Sequence, residues 1–558
     1  MRVGLGCMRL STDADRDEEH ALATIVAAVE SGITVFDTAR AYGDNEHLLA
    51  RALRSSDATT ARIATKGGMT RPGGAWVPDG RARSIRADCE ASLEALDGLP
   101  IDAYLLHTPD PRTPWRTSVR ALAKLLDEGL VARIGVSNVN RAQLDEAIEL
   151  APISVVQVAL SILDDTALRG GIVERCSDAG IALIAHSPLG GPRRVGRLAR
   201  EEPLAAIAHE RGVSPAELAL AWLLELAPNI VAIPGARRPE TAHSSARAAS
   251  IRLDENERAR LGRDRRPRPL HRAGKGDVVV VMGAPGAGKS RIAEDYVARG
   301  YFRLNRDARG GTLRELVDAL DEALRNRARE VVLDNTYLTR ASRSYVVETS
   351  ARFGVAARCI WIDAPLAQAQ VNMVERLLDR FADLPEPEEL KKAARSEPGL
   401  LAPTQQMRAF RELEPPTDDE GFASVERIPF GRVTHPDRLA KGVFVAAVAN
   451  RTAEWERALA AAEPAAPHLV FDWSPDGVSP RLEANAAAVA GIVSGVVEAA
   501  LCSHAAGPPV CWCRPPLPGL VLEFARRHAV DPARSVVLGT STAHATLAKT
   551  LGARSQLL

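Results

Sequence analysis

The chain has 558 residues, of which 46% are hydrophobic and 25% are charged. This composition is close to that of an average globular protein, which excludes a disordered chain, and the length predicts three domains or one barrel-sized domain with two smaller ones. Because Lys plus Arg and Asp plus Glu each number 71, no net charge draws the whole protein to nucleic acid or to an anionic membrane.

No segment predicts export or a membrane span. The longest apolar run, AAAVAGIVSGVV at 486–497, is too short to cross a bilayer and is closer to a buried helix. The N-terminus MRVGLGCMRLS lacks a basic region followed by an apolar block. Cys7, Cys89, Cys176 and Cys359 are isolated in the sequence, as expected in a reducing compartment. We therefore expect a cytoplasmic protein with no membrane partner.

Residues 1 to about 255 alternate short apolar runs with amphipathic stretches. The seven runs are GITVFDT, ARIATK, IDAYLLH, VARIGVSN, SVVQVAL, IALIAHSP and NIVAIPGA. Helical patterns such as PAELALAWLLEL separate them. Repeated β-α units predict a parallel sheet or a (β/α)₈ barrel, and the barrel fits the count better. We place this α/β domain at residues 1–260.

Four polar side chains lie at or just beyond the ends of these predicted strands. They are Asp37, Tyr42, Lys66 and His107. The carboxyl ends of barrel strands meet at one face, where chemistry is normally done. A neighbouring ammonium lowers the pKa of a tyrosine and a carboxylate orients that ammonium, so the set can protonate a carbonyl oxygen as hydride arrives. Taken singly, each charged strand end is more often a structural ion pair.

The segment resembles the aldo-keto reductase family over nearly its whole length, in FDTARAYGDNEHLLARAL, TKGG, LLH, IGVSN, VVQ, HSPLG and IPGARRPE. The resemblance implies an NADPH-dependent reductase of a small aldehyde or ketone. Tyr42 would be the general acid, Lys66 and Asp37 its tuning partners, and His107 the group that orients the carbonyl.

The same resemblance implies a set of cofactor contacts. They are Ser137, Asn138, Gln157, His186, Ser187, Leu189, Gly235 and Arg237. Arg237 or Arg238 would favour the 2′-phosphate of NADPH. His186 stands where the family usually has an aromatic residue stacking on the nicotinamide. Ser244 and Ser245 replace the usual Glu-Asn pair, so weaker adenine contacts are expected.

A polar, Arg- and Pro-rich stretch follows, RLGRDRRPRPLHRAGKGD at 260–277. It lacks periodicity and predicts a linker at 261–276, with a basic patch for a polyanion as the alternative.

The segment GAPGAGKS at 283–290 fits the phosphate-loop pattern G-x-x-x-x-G-K-[ST], between the run VVVVM and the helical RIAEDYVARG. In this strand, loop and helix context, backbone N–H groups surround the phosphates of ATP. Lys289 reaches the β- and γ-phosphates and Ser290 holds Mg²⁺. The loop glycines are Gly283, Gly286 and Gly288.

Two further strand ends carry carboxylates, in NRD at 305–307 and LDNT at 333–336. In this order, and with ASRSYVVETSARFGV, QVNMVERLLDR and PPTDDEGFASVERIPF, they resemble the kinase domain of polynucleotide 5′-kinases. The resemblance implies Asp307 as general base, Arg376 as a lid arginine on the transferring phosphate, and Asp334 near Mg²⁺.

The implied acceptor is a nucleic acid with a 5′-hydroxyl end, either RNA or DNA. Gly310 stands where some family members have an arginine that grips the acceptor's phosphate, and a small sugar or alcohol is the alternative acceptor. We place this P-loop domain at residues 277–433.

The stretch CSHAAGPPVCWC at 502–513 gathers Cys502, His504, Cys511 and Cys513, a set that suits a closed tetrahedral zinc site. With the following RPPLPGLVLEFARRHAVDPARSVVLGTSTAHATLAKTLGA it resembles zinc-bearing phosphatases of the haloacid dehalogenase superfamily. Ala446 stands where such an enzyme has its carboxylate nucleophile, so the resemblance implies an inactive, Rossmann-like domain at 434–558. An unmetallated reduced cluster is the alternative.

Together these features predict a reductase fused to an ATP-dependent polynucleotide 5′-hydroxyl kinase, in the setting of nucleic-acid repair. A small-molecule kinase coupled to aldehyde reduction, or a scaffold in which only the kinase is active, is the alternative.

Overall fold

The computed structural model of the chain describes residues 1–262, 276–397, 399–430 and 437–558. The chain divides into two compact units, residues 1–266 and 267–558. The second unit therefore contains both segments that were expected as separate domains. Most of the predicted linker and the predicted boundary at 433 lie outside the described residues. Among the described helices, none is long and apolar enough to span a bilayer.

Eight parallel strands form the sheet of the first unit. In sheet order they are Leu5–Gly6, Val35–Asp37, Arg62–Gly67, Ile101–Leu106, Ile134–Ser137, Ile153–Ala159, Ala182–His186 and Ile230–Ile233. The first strand also meets the last, because Gly4 N donates to Ala232 O at 2.8 Å and Gly6 N to Pro234 O at 3.0 Å. The predicted barrel is confirmed. The strand Leu5–Gly6 was not predicted, since two residues beside glycines make no apolar run.

Helices alternate with these strands and cover the outside of the barrel. They are Met8–Thr12, Glu18–Glu30, Asn45–Ser55, Ala82–Ala95, Trp115–Asp127, Arg141–Leu150, Thr166–Arg169, Ile172–Asp178, Leu204–Arg211, Pro215–Glu225, Pro239–Arg247 and Glu255–Leu261. Ser214 caps the predicted PAELALAWLLEL helix, accepting from the Glu217 N–H at 3.2 Å. A small separate cluster that includes Ala64, Ala103 and Leu105 fills the barrel interior.

A second parallel sheet begins the second unit. In sheet order its strands are Phe302–Asn305, Glu330–Asp334, Asp277–Met282, Ala356–Asp363 and Ser424–Pro429. Its helices are Lys289–Val297, Arg306–Arg309, Leu313–Arg325, Arg340–Arg352, Leu366–Phe381, Pro387–Ala393 and Pro403–Glu412. The run VVVVM lies in the central strand and is buried along its length, as parallel sheets with two covered faces require.

A third parallel sheet ends the chain. In sheet order its strands are Val497–Cys502, His468–Trp473, Val443–Ala446, Val536–Gly539 and Arg554–Leu557. Its helices are Ala453–Ala461, Pro480–Ile492, Gly519–Arg527 and Thr542–Leu551. The expectation of one buried helix over 486–497 is wrong. The helix ends at Ile492 with only Val489 of this run buried, and Val497 begins an unpredicted strand.

One buried cluster joins the second and third sheets. Helix Leu366–Phe381 contributes Met373, Val374, Leu377 and Leu378, and these pack with side chains of the third sheet and its helices, which include Phe444, Phe471 and Phe524. This corrects the interpretation of QVNMVERLLDR as a lid, because the apolar face of the helix is buried within the unit.

Candidate functional site

A cleft of about 460 Å³ opens at the carboxyl ends of the barrel strands. Among the predicted site residues it is lined by Asp37, Tyr42, His107, Asn138, Gln157, His186, Ser187, Leu189 and Gly235. Lys66 and Ser137 are buried directly behind this lining. The parallel strands therefore bring the predicted groups to one place, although they are far apart in the sequence.

The centre of the cleft is a buried ion pair. Lys66 Nζ donates to both carboxylate oxygens of Asp37 and to the carbonyl oxygen of Thr38, each at 2.8 Å. The same ammonium lies 5.3 Å from the centroid of the Tyr42 ring. Gln157 Nε2 donates to Asp37 Oδ1 at 2.6 Å. Gln157 was predicted to contact the nicotinamide, but one of its amide N–H groups is already bonded to Asp37.

These surroundings set the protonation of Tyr42 and Lys66. Burial raises the pKa of Tyr42, and the nearby Lys66 ammonium only partly opposes this, so the expected lowering does not result. Burial lowers the pKa of Lys66, but Asp37 and Tyr42 raise it more, and the net shift is upward. At neutral pH the cleft therefore presents a protonated phenol beside a permanent cation.

His107 faces the same phenol. Its ring lies edge-on to Tyr42 with centroids 5.7 Å apart. Burial, followed by the charges of Lys66 and His186, lowers the pKa of His107 to about 3, so the imidazole is neutral. Its Nδ1 is buried and has no hydrogen-bond partner among the described residues. Because Nδ1 is closed to solvent, Nε2 is the nitrogen of this neutral ring that can meet a substrate oxygen in the cleft.

One aromatic group of the cleft, Trp76, was not predicted from the sequence. Its ring centroid is 6.0 Å from that of Tyr42 and 5.9 Å from that of His107. It lies beside Val77–Pro78, which pairs with Met69–Thr70 as an antiparallel hairpin after the third barrel strand. The signal available in the sequence was a tryptophan within the proline- and glycine-rich stretch RPGGAWVPDG.

The predicted nicotinamide face is organised around Asn138. Its Nδ2 donates to the carbonyl oxygen of His107 at 3.0 Å, while its Oδ1 lies 3.0 Å from His186 Nε2. His186 Nδ1 lies 3.2 Å from the Ser187 hydroxyl. Burial lowers the pKa of His186 to about 4, so the ring is neutral. Since Asn138 Oδ1 can only accept, the ring proton belongs on Nε2, and Nδ1 accepts from Ser187. Asn138 and Ser187 together hold this ring against the cleft.

The predicted phosphate arginine is paired with acids. Arg237 lies 2.8 Å from Asp15 Oδ2 and 3.4 Å from Asp13 Oδ2, and its side chain is 35% exposed. The Ser244 hydroxyl, which stands where the family has part of its usual adenine-contacting pair, donates to Glu217 Oε1 at 2.9 Å. An incoming phosphate would therefore compete with Asp13 and Asp15 for Arg237.

In the second unit, the glycine loop leaves the central strand as predicted. Gly286 and Gly288 have φ of +86° and +88°, and a Cβ on Gly286 would lie 2.4 Å from the carbonyl oxygen of Ala369. Lys289 begins the following helix, with Ser290 next to it, and its Nζ donates to Ala284 O at 3.0 Å. Burial lowers the pKa of Lys289 to about 8, and the nearby carboxylates compensate for this only in part.

Three predicted charged groups gather near this lysine. The charges of Asp334, Arg376 and Asp307, in that order of strength, all act on the pKa of Lys289. A Cβ built on Gly399 would lie 3.2 Å from Arg376 Nη1 and 3.3 Å from Asp307 Oδ2. The predicted base and the predicted arginine are thus close together in space.

Asp334 is bonded on one side. Asn305 Nδ2 donates to its Oδ2 at 2.9 Å, and Arg303 forms an ion pair with the same oxygen. The carboxylate ends the strand next to the central one and is buried. Both of these contacts involve Oδ2. Within the described residues Oδ1 has no such contact, so it is the oxygen that could meet a metal-bound water.

The four predicted metal ligands of the third sheet come together. One donor atom from each of Cys502, His504, Cys511 and Cys513 lies within 4.8 Å of all the others. Cys513 Sγ is 3.3 Å from both Cys502 Sγ and His504 Nδ1. His504 Nε2 lies 3.0 Å from Glu386 Oε2. Three sulfurs and one nitrogen at this spacing fit tetrahedral zinc, with a carboxylate orienting the imidazole.

The rest of the third sheet offers no carboxylate nucleophile at its central strand. That strand ends at Ala446, which is buried. Asp472, at the end of the neighbouring strand, accepts a hydrogen bond from Ser479 at 2.6 Å and forms an ion pair with Arg481. The Asp472 carboxylate is therefore already used within the fold.

Comparisons with known proteins match the first unit and part of the second. The sequence model of the aldo/keto reductase family matches residues 2–263, and that of an AAA domain matches residues 278–396. An uncharacterized oxidoreductase of Schizosaccharomyces pombe is 31% identical over 268 residues, covering 47% of this chain and 85% of that protein. The probable aldo-keto reductase 1 of Glycine max is 31% identical over 291 residues, covering 46% and 83%.

A solved structure is also similar to the first unit. An aldo/keto reductase from Klebsiella pneumoniae, in complex with NADP and acetate, is 27% identical, covers 47% of this chain and 90% of its own, and aligns with a TM-score of 0.42.

Proposed function

The chain belongs to the aldo/keto reductase family through residues 2–263, and we propose that its barrel reduces a small aldehyde or ketone with NADPH. The observation that carries this proposal is the contact of Asp37, Lys66 and the Tyr42 ring at the wall of the cleft. The protonated phenol is a proton donor whose conjugate base is stabilised by the adjacent ammonium.

In this reaction bound NADPH supplies the hydride. Tyr42 donates its hydroxyl proton to the carbonyl oxygen, and Lys66 stabilises the phenolate that results. Asp37 keeps the ammonium in place, and neutral His107 donates a hydrogen bond that orients the carbonyl. The product is the corresponding alcohol.

The residues fit the cofactor if the Asn138 amide and the Arg237 guanidinium exchange their present partners for it. Ser137, Asn138, Gln157, His186, Ser187 and Leu189 would hold the nicotinamide end, and Gly235 would lie along the phosphates. Arg237 would bind the 2′-phosphate by leaving Asp13 and Asp15.

The test follows NADPH absorbance with a panel of aldehydes. Tyr42→Phe should lower kcat at least about 100-fold without weakening NADPH binding, because general acid catalysis contributes at least that much. The matched control is Tyr104→Phe, which removes a buried hydroxyl bonded to Ile85 O at 3.0 Å, outside the cleft. It should cost stability and leave turnover intact. Turnover by Tyr42→Phe equal to that of the wild type would disprove the assignment.

For the second unit we propose an ATP-dependent kinase whose acceptor is the 5′-hydroxyl end of a nucleic acid. The observation that carries it is the grouping of Asp307, Arg376 and Lys289 beside the glycine loop. Asp307 would take the hydroxyl proton as the oxygen attacks the γ-phosphorus, while Lys289 and Arg376 stabilise charge on the transferring phosphoryl group. Ser290 and Asp334 would hold Mg²⁺.

Labelled ATP separates this acceptor from a sugar or a simple alcohol. We expect label on a 5′-hydroxyl oligonucleotide, and its loss in Asp307→Asn. The control is Asp318→Asn, at an exposed position of helix Leu313–Arg325. This variant should transfer label to the oligonucleotide as the wild type does. Transfer to glycerol or a sugar but not to the oligonucleotide would favour the small-molecule kinase instead.

We also propose that Cys502, His504, Cys511 and Cys513 hold a structural zinc ion in an inactive phosphatase-like fold. The support is the donor set itself, together with the alanine at the end of the central strand. A closed site of four protein ligands contributes folding energy and leaves no position for a substrate.

A further inference from the structure

Helix Leu366–Phe381 has two functional faces. Ala369, Asn372 and Arg376 follow one another at helical spacing on the face toward the glycine loop. Asn372 Nδ2 donates to Gly286 O at 2.8 Å, and the Ala369 carbonyl oxygen blocks any side chain at Gly286. Arg376 is exposed beside Asp307. The orientation of this helix therefore decides where the Arg376 guanidinium lies.

The opposite face is held by the C-terminal part of the same unit. Val374 and Leu378, which point away from Ala369 and Arg376 at helical spacing, are buried with the third sheet. Glu375, the neighbour of Arg376, forms a bidentate ion pair with Arg438, at 2.5 and 2.8 Å, and both side chains are buried. The C-terminal sheet, which lacks a carboxylate nucleophile, thus holds in place the helix that carries Arg376.

The Cys/His cluster reaches the same region through Trp512. This residue lies between two of the clustered cysteines, and its indole N–H donates to the carbonyl oxygen of Leu401 at 2.9 Å. Trp512 and Leu400 are both buried in the shared cluster. Gly399, two residues before Leu401, accepts a hydrogen bond from Arg376 Nη1 at 3.3 Å through its carbonyl oxygen.

We propose that Trp512 is a positioning residue for phosphoryl transfer, holding the segment 399–401 so that Arg376 stays beside Asp307. The inference rests on the proposed kinase function of the second unit. The Cys/His cluster holds Trp512 by the cysteines on either side, and Trp512 holds the backbone that meets the arginine. A misplaced charge-stabilising group costs rate because geometry at the reacting phosphorus is lost.

If Trp512 acts only on the position of Arg376, its loss should change the rate of phosphate transfer and not the affinity for ADP. Trp512 bonds to Leu401, whereas the glycine loop is held from this segment by Gln406, whose Nε2 donates to Pro285 O at 2.9 Å. Within the described residues, neither Lys289 nor the glycine loop is hydrogen-bonded to Trp512 itself, so ADP binding should not depend on the indole N–H. Loss of the indole N–H should therefore lower kcat and leave the Kd for ADP unchanged. A residue with a general structural role would change both together.

The experiment compares Trp512→Phe with Trp455→Phe in the full-length chain. Trp455 is also buried in the C-terminal part, but its indole N–H has no hydrogen-bond partner among the described residues. Both changes remove the same atoms from a core. We expect kcat for phosphate transfer to fall about tenfold in Trp512→Phe only. Amide hydrogen exchange should rise in a peptide covering residues 399–407 in that variant and not in the control.

A chelator provides a second arm. If the Cys/His cluster holds Trp512, metal removal from the wild type should raise exchange in the same peptide, and added Zn²⁺ should reverse it. Equal effects of the two tryptophan variants, or unchanged exchange in Trp512→Phe, would overturn the proposal. If the wild type transfers phosphate to no acceptor, the kinase proposal fails. The exchange comparison still decides separately whether Trp512 holds the segment.

Discussion

Lys66 and Asp37 form a bidentate ion pair with side chains that are 1% and 5% exposed, at the wall of the barrel cleft. Each of the two N–O distances is 2.8 Å. Such a pair is costly to form in low dielectric but far more costly to break, because the remaining charge loses its partner without regaining water.

Asp37→Asn tests this pair. We expect the free energy of unfolding to fall by about 3–5 kcal/mol, since the Lys66 ammonium stays buried without its counterion. Urea denaturation measures the change. Asp102→Asn is the control, because Asp102 pairs with Arg133 in a position that is 28% exposed. It should cost no more than about 1 kcal/mol. Equal losses in the two variants would contradict the expected role of burial.

Arg237 offers a test of cofactor choice. Arg237→Ala should raise the KM for NADPH about tenfold or more and leave that for NADH little changed, because only NADPH carries the 2′-phosphate. Asp15→Asn should act in the opposite direction, since Asp15 competes for the same guanidinium. Steady-state kinetics with both cofactors measures this. If Arg237→Ala weakens both cofactors equally, Arg238 becomes the candidate.

Lys289 predicts a pH effect on nucleotide binding. Its pKa is lowered to about 8, so above pH 8 most of the free protein has a neutral lysine at this position. The phosphates of ADP favour the ammonium, and binding must then take up a proton. Calorimetry at pH 8.5 in buffers of different ionisation enthalpy should show uptake, on the order of half a proton or more. Lys289→Met should show none.

The metal proposal is tested by two serine variants. Cys511→Ser should lower the zinc content of the purified chain and its thermal midpoint, because one ligand of four is lost. Cys359→Ser is matched in chemistry and burial, but Cys359 lies in a strand far from the cluster in sequence. It should retain the full metal content. A wild-type protein with zinc content near zero would contradict the site.

The side chains at the carboxyl ends of the strands could be predicted from the sequence. Parallel strands put their carboxyl ends at one edge, so apolar runs followed by Asp37, Lys66 or Asp334 predicted both the barrel cleft and the surroundings of the phosphate loop. Short strands without an apolar run could not be predicted from the sequence, as Leu5–Gly6 of the barrel and the exposed edge strand Arg554–Leu557 show. Their pairing depends on neighbouring backbone rather than on their own side chains.

Loop contacts also escaped prediction. Trp76 joins the cleft, Asp15 occupies Arg237, and Trp512 bonds to Leu401, and each contact joins segments that sequence spacing does not relate. The sign of the Tyr42 pKa shift was missed for a similar reason. The attraction of Lys66 can be anticipated from neighbouring residue types, whereas the opposing burial is a property of the whole packed barrel.

By itself, the amino-acid order determined the repeated β-α units, the glycine loop and the grouping of four metal-ligand side chains, because these depend on local spacing and on the alternation of apolar and polar residues. Only the tertiary structure decided that helix Leu366–Phe381 packs against both sheets of the second unit. It also decided that Arg438 of the C-terminal part pairs with Glu375, next to Arg376. Such contacts arise from shape and burial between distant segments, which no local pattern records.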